Sequence, residues 1–141
     1  MSNTNPTLIV ALYIKGYDLN PSIVTRLLGI EPTRSSYKGE KKITDHNKEV
    51  VSKSGFWVLA SNVESYVVSD HLSFIKSSVE SGIKDIFSVA GVEEAFVDVF
   101  VAAPSNDVGE ASFSFILSER DVASLGEIGL TIKVTITSGP D

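Results

Sequence analysis

Seven apolar residues without a break, Leu8-Ile9-Val10-Ala11-Leu12-Tyr13-Ile14, leave this chain few folds to choose from. A strand with one wet face alternates apolar with polar residues. An unbroken run rich in β-branched and aromatic side chains reads as a strand buried on both faces, at the middle of a sheet. The run is far short of the roughly 20 residues that a membrane-spanning helix needs. Gly16-Tyr17-Asp18 ends it, and Asn20-Pro21 opens a helix, with Asn20 as N-cap and Pro21 in the first turn. Ile23, Val24, Leu27 and Leu28 give that helix one apolar side. Gly29 supplies a left-handed C-terminal residue and Pro32 blocks continuation.

The rest of the chain alternates in the same style. Residues 33–54 form a polar stretch with weak periodicity, read as a mobile loop or a ragged hairpin over Lys41–Val51. Phe56–Ala60 is a strand. Ser69 is placed as the cap of the longest helix, Asp70 to about Ser88, whose stripe is Leu72, Ile75, Val79, Ile83 and Ile86. Ala95–Ala103 and Ala111–Leu117 read as strands joined by a turn over Pro104–Gly109, hence as a hairpin. Ser118 and Asp121 form a loose capping box ahead of a short helix that stops at Leu125-Gly126, and Leu130–Ile136 is the last strand. A strand, a capped helix and a Leu-Gly stop thus occur near both ends, as in split β-α-β folds. The expectation is one α+β domain over residues 1–141. It has a mainly antiparallel sheet with helices packed on one face and split β-α-β elements in ferredoxin-like style. Leu12, Leu27, Ile75, Val79, Phe115 and Ile132 are expected to be fully buried.

Composition removes many functions. The chain has no cysteine and two histidines, which excludes disulfides, thiolate metal sites and a thiol nucleophile and leaves no multi-histidine centre. The expectation is no metal and no cofactor. The net charge is −6, and after residue 53 four basic residues face thirteen acidic ones. That balance argues against nucleic acid as a partner and suits a basic protein partner. Met1–Pro6 lacks the basic start of a signal peptide, so the expected location is the cytoplasm, with no membrane association. His46 beside Asp45 reads as a solvated loop histidine, and His71 as part of a helix cap. Glu93, Glu94 and Asp98 read as surface charge. No phosphate loop, nucleophile elbow, zinc-protease or EF-hand motif is present, so an enzyme is not expected.

Three short motifs carry a resemblance. Gly29-Ile30-Glu31-Pro32, Lys38-Gly39-Glu40 and Gly55-Phe56-Trp57-Val58-Leu59, with Leu125-Gly126 later, resemble the bacterial family called domain of unknown function 4279. The likeness spans nearly the whole chain. It departs from the family pattern at Tyr37, where tryptophan is commoner, and at Glu40, where aspartate is common. The resemblance implies no established activity. Members are similar in size and style to small bacterial immunity proteins, which bind and neutralise toxins.

Two candidate surfaces follow. On the strand 95–103, Val97, Val99 and Val101 make one face, and Phe96, Asp98 and Phe100 the other. With Ser112, Ser114 and Lys133 they compose an aromatic-anchored surface for a protein partner, of which a basic toxin domain is an example. The alternative is a small-ligand or regulatory site in which Tyr37 and Lys38 fold over Trp57. The oligomeric state is left open.

Overall fold

The computed structural model describes residues 5–104 and 113–139. In chain order it contains β1 (Thr7–Gly16), α1 (Pro21–Leu28), β2 (Arg34–Ser36), β3 (Lys41–Ile43), β4 (Glu49–Val51) and β5 (Gly55–Ala60). There follow α2 (Val68–Val79), a 3-10 helix (Ile83–Ser88), β6 (Glu94–Pro104), α3 (Glu119–Ile128) and β7 (Thr131–Gly139). Five strands form a sheet in the order β2-β5-β1-β6-β7. β1 runs antiparallel to both β5 and β6, while β6 and β7 are parallel. β5 and β6 therefore point the same way with β1 between them, which makes β5-α2-β6 a split β-α-β unit. The class is α+β, with a mainly antiparallel sheet.

The core lies on one side of this sheet. Val10, Leu12 and Ile14 of β1, Trp57 and Leu59 of β5, and Val97, Val99 and Val101 of β6 pack with Val24 and Leu28 of α1. Leu72, Ile75 and Val79 of α2, Ile83 and Ile86 of the 3-10 helix and Ile128 of α3 complete it. Trp57 is fully buried, and its indole N–H donates to Thr25 Oγ1 at 3.0 Å, so the ring is packed and its one donor is satisfied. The other face of β1 differs from the sequence expectation. Ile9 is 47% exposed and Tyr13 half-buried, because the helical core residues collect on the Leu12 side only.

The helix ends follow their capping chemistry. Asn20 accepts from the Ser22 N–H at 3.0 Å, and Gly29 closes α1 at φ 71°. Ser118 and Asp121 form a full capping box on α3. Three boundaries move. Val67, without a side-chain cap, precedes α2, and Ser69 instead donates to Asp121 of α3. The expected long helix breaks before Gly82, where the backbone needs close approach. A Cβ there would sit 2.4 Å from the Leu27 carbonyl oxygen. The later stop is Gly129, at φ 72°, and not Leu125-Gly126, so Gly126 lies inside α3.

The largest correction concerns residues 111–117. Ala111 and Ser112 lie outside the described residues, and residues 113–117 form no strand. β6 has two edges. β1 takes one, and β7 takes the other from Phe96↔Thr131 to Pro104↔Gly139. No edge remains for a hairpin partner. Phe113 and Phe115 pack against the core from this non-strand segment, with ring centroids 6.1 Å apart. Phe115 is therefore half-buried and not fully buried; Leu27 of α1, packed at the rim beside Gly82, and Ile132 on the edge strand are half-buried too. Leu12, Ile75 and Val79 are fully buried. Within 33–54, β3 and β4 pair as a separate hairpin, Lys41↔Val51 to Ile43↔Glu49, whose residues are all exposed.

Two stability series check this packing. Ile75→Ala should cost about 2–5 kcal/mol in denaturant unfolding, and Phe115→Ala less, since only the first empties a closed site. Gly16→Ala should cost about 3 kcal/mol, because its Cβ would lie 1.6 Å from the Gly91 carbonyl oxygen and backbone must move. Gly126→Ala, with nothing within 4 Å, should instead stabilise α3 by about 0.5–1 kcal/mol.

Candidate functional site on the open face of the sheet

The face opposite the core is built by strand alternation. β1 contributes Ile9, Ala11, Tyr13 and Lys15. β6 contributes Glu94, Phe96, Asp98 and Phe100. Register then decides neighbours. Tyr13 stands opposite Phe96, Phe96 beside Thr131, and Asp98 beside Lys133. Of the predicted partner-binding residues, the structure brings Phe96, Asp98, Phe100 and Lys133 together here. Ser114 is exposed but sits in the non-strand segment before α3, and Ser112 lies outside the described residues.

One end of this face is an aromatic row with cations against it. The Tyr13 and Phe96 rings stack with centroids 5.4 Å apart and planes 7° from parallel. Lys15 Nζ is 5.5 Å from the Tyr13 centroid and 5.6 Å from that of Phe96, so the ammonium sits above the seam between the rings. From the β2 side, the Arg34 guanidinium lies 5.8 Å from Tyr13 and 5.5 Å from Phe56, and its Nη2 donates to the Tyr13 hydroxyl at 3.4 Å. From the β7 side, Lys133 Nζ lies 6.0 Å from Phe96. Lys42 reaches back from β3 to 5.6 Å from Phe56 and donates to the Ser35 carbonyl at 2.7 Å. Each exposed cation–aromatic contact is worth about 0.5–1 kcal/mol. The gain is modest, but it holds long side chains in place before any partner arrives. The other end of the face is apolar, where Phe100 lies beside Ile9 and Thr135.

Tyr13, Lys15, Arg34, Phe56 and Lys42 were missed from sequence. Tyr13 was hidden by reading Leu8–Ile14 as apolar on both sides. The available signal was Tyr13-x-Lys15, two residues apart on the side opposite Leu12 and Ile14.

The alternative site does not assemble. Trp57 has no exposed surface and faces the core, while Tyr37 is 56% exposed. Lys38 Nζ lies 3.8 Å from the Tyr17 ring centroid and 3.8 Å from Asp18 Oδ1. Its contact with Tyr17, and then Asp18, raises its pKa above the ordinary lysine value. A ligand has no Trp57 ring face to stack on.

The other candidates have local partners. His46 is exposed in the β3–β4 turn. His71 is buried, with Nδ1 2.7 Å from Ser61 Oγ and Nε2 2.8 Å from the Ser65 carbonyl oxygen, so it clamps the 61–65 segment onto α2 and is not a cap. Glu93 accepts the Tyr17 N–H at 2.7 Å, while Glu94 and Asp98 stand on the open face. Among the described residues no group of three or more His, Cys, Asp or Glu is placed to hold a metal ion. Among them, too, no helix is long and apolar enough to cross a membrane.

No curated protein and no solved structure matches this chain. A sequence profile of the family described as Domain of unknown function (DUF4279) matches residues 5–139. The profile takes in every strand and helix described above, from β1 to β7, and on that extent the chain belongs to the domain of unknown function 4279 family.

Proposed function

We propose that this chain is a non-enzymatic bacterial binding protein of the immunity type. In this reading it acts in the cytoplasm and neutralises a toxin domain by docking it on the open face of the sheet. The observation that supports the reading is the juxtaposition on that face of Phe96 and Phe100, both half-buried, with Asp98 between them and Lys133 alongside. Half-exposed aromatic anchors among charged groups have the composition of an interface centre with a polar rim. A surface carried by paired strands is also rigid, so little ordering cost is added on docking.

The test separates binding from folding. Phe100→Ala and Asp98→Lys should each leave the unfolding midpoint within about 1 kcal/mol of the parent, as for surface changes. Phe100→Ala should lose capture of a toxin encoded beside the gene in the source cell. A Phe100→Ala protein that unfolds would place the residue in the core and move the interface elsewhere.

A further inference from the structure

The sign of the charge on the open face differs from that of the whole chain. The net charge is −6, and thirteen acidic residues follow position 53. Among the described residues of β1, β5, β6 and β7, only Glu94 and Asp98 bring negative charge to this face. Against them stand Lys15 and Lys133, with Arg34 drawn over Tyr13 and Phe56 from the β2 side, while Lys42, also over Phe56, is paired with Glu40 at 3.4 Å and adds no net charge. Among the described residues, the remaining acids of the later chain lie chiefly along the helices: Asp70 and Glu80 at α2, Asp85 in the 3-10 helix, and Glu119, Asp121 and Glu127 in α3.

The rings determine what the cations can do. A nucleobase would need a free aromatic face. Tyr13 and Phe96 cover one face of each other, and Arg34 and Lys133 approach from the two flanks. What the row presents outward is positive charge, held in position by aromatic contact and backed by apolar surface at Phe100 and Ile9. A cleft of about 700 Å³ continues it around the end of the sheet, from Lys15 and Phe96 to the exposed Phe87. Glu94 and Asp98, interleaved with the positive groups, repel a continuous polyanion, whereas the pattern matches a protein surface on which carboxylates alternate with apolar side chains.

We infer that the open face takes an acidic partner: a protein segment whose carboxylates meet Lys15, Arg34 and Lys133 and whose apolar side chains meet Phe96 and Phe100. This rests on the docking reading above and reverses the partner charge expected from composition. The basic partner suggested by the acid excess would meet that excess on the helical side.

Three labelled probes test it with the intact chain at physiological salt, where the distant acids are screened: a peptide of alternating Glu and Phe, the same peptide with Lys for Glu, and a short oligothymidylate. The Glu–Phe peptide should bind most tightly and shift the backbone amide resonances of Tyr13, Lys15, Phe96 and Lys133. Added salt should weaken it. The double variant Lys15→Glu, Lys133→Glu alters exposed side chains and should keep its circular dichroism, with an unfolding midpoint lowered by the lost cation–aromatic contacts, yet weaken the peptide at least about tenfold. Tighter binding of the Lys peptide or of the oligothymidylate, shifts confined to the helices, or an unchanged affinity in the double variant would overturn the inference. The toxin pull-down keeps the two readings apart. Loss of the toxin with Phe100→Ala but retention with Lys15→Glu, Lys133→Glu overturns the acidic-partner inference alone. Retention with both variants overturns the docking reading as well.

Discussion

Tyr13 stands opposite Phe96, and Leu12 opposite Val97, in the pairing that joins Thr7–Lys15 of β1 to Glu94–Ala102 of β6. Everything else is arranged around that register. It sends Val10, Leu12, Ile14, Val97, Val99 and Val101 to the helical side, where all are buried, and leaves Tyr13, Lys15, Phe96 and Asp98 on the other. A slip of one residue would set Leu12 on the same face as Phe96, so that either Lys15 or Asp98 would turn under the helices. Burying unpaired charges costs far more than any aromatic contact returns, so the core term decides the register. The cation–aromatic row is a consequence of that choice and not a cause of it.

The same pairing explains why β7 closes the sheet on that side. With β1 on one edge of β6, a single edge is left, and α3 returns the chain in the direction parallel to β6 to fill it. Lys133 reaches Phe96 only because of this parallel arrangement. In the expected hairpin over 95–117, the neighbour of β6 would have been the strand 111–117, and Lys133 would have stood one strand further away. The site thus depends on a crossover that joins residues distant in sequence, which is where local reasoning fails first.

How much was legible follows from whether the determining contact is local. Asn20, Gly29, Ser118 and Asp121 act on their own neighbours, and their capping roles were readable from the letters. The split of β6 into a valine face and a Phe96, Asp98, Phe100 face needed only alternation. Partner choice among strands depends on which edge is free, and no residue between 111 and 136 announces it. The interruption at Gly82 depends on the distant Leu27 carbonyl, and Ser69 spends its hydroxyl on Asp121 across two helices. Trp57 buries its ring and gives its one N–H to Thr25, a long-range packing choice that removes it from the ligand site expected around it. Tyr13 was lost inside an apolar run because tyrosine counts as apolar in a pattern while behaving at a sheet surface as a ring with a polar end.

The two faces also bear on which charge a partner feels. Screening at physiological salt sets in over about 8 Å, and a helix layer lies roughly 10 Å from the sheet it packs on. Acidic side chains on the outer side of α2 and α3 are therefore more than one screening length from a partner seated on the open face. At contact range the partner senses Lys15, Arg34 and Lys133, not the net charge of the chain. Net charge still governs slow approach at low salt, where the same acids act over longer distances and would hold off an acidic partner until it reaches the cationic side. Such an arrangement favours encounters oriented toward one face. The whole-chain charge describes solubility, whereas recognition is set by the few side chains that the β1–β6 register brings to the surface.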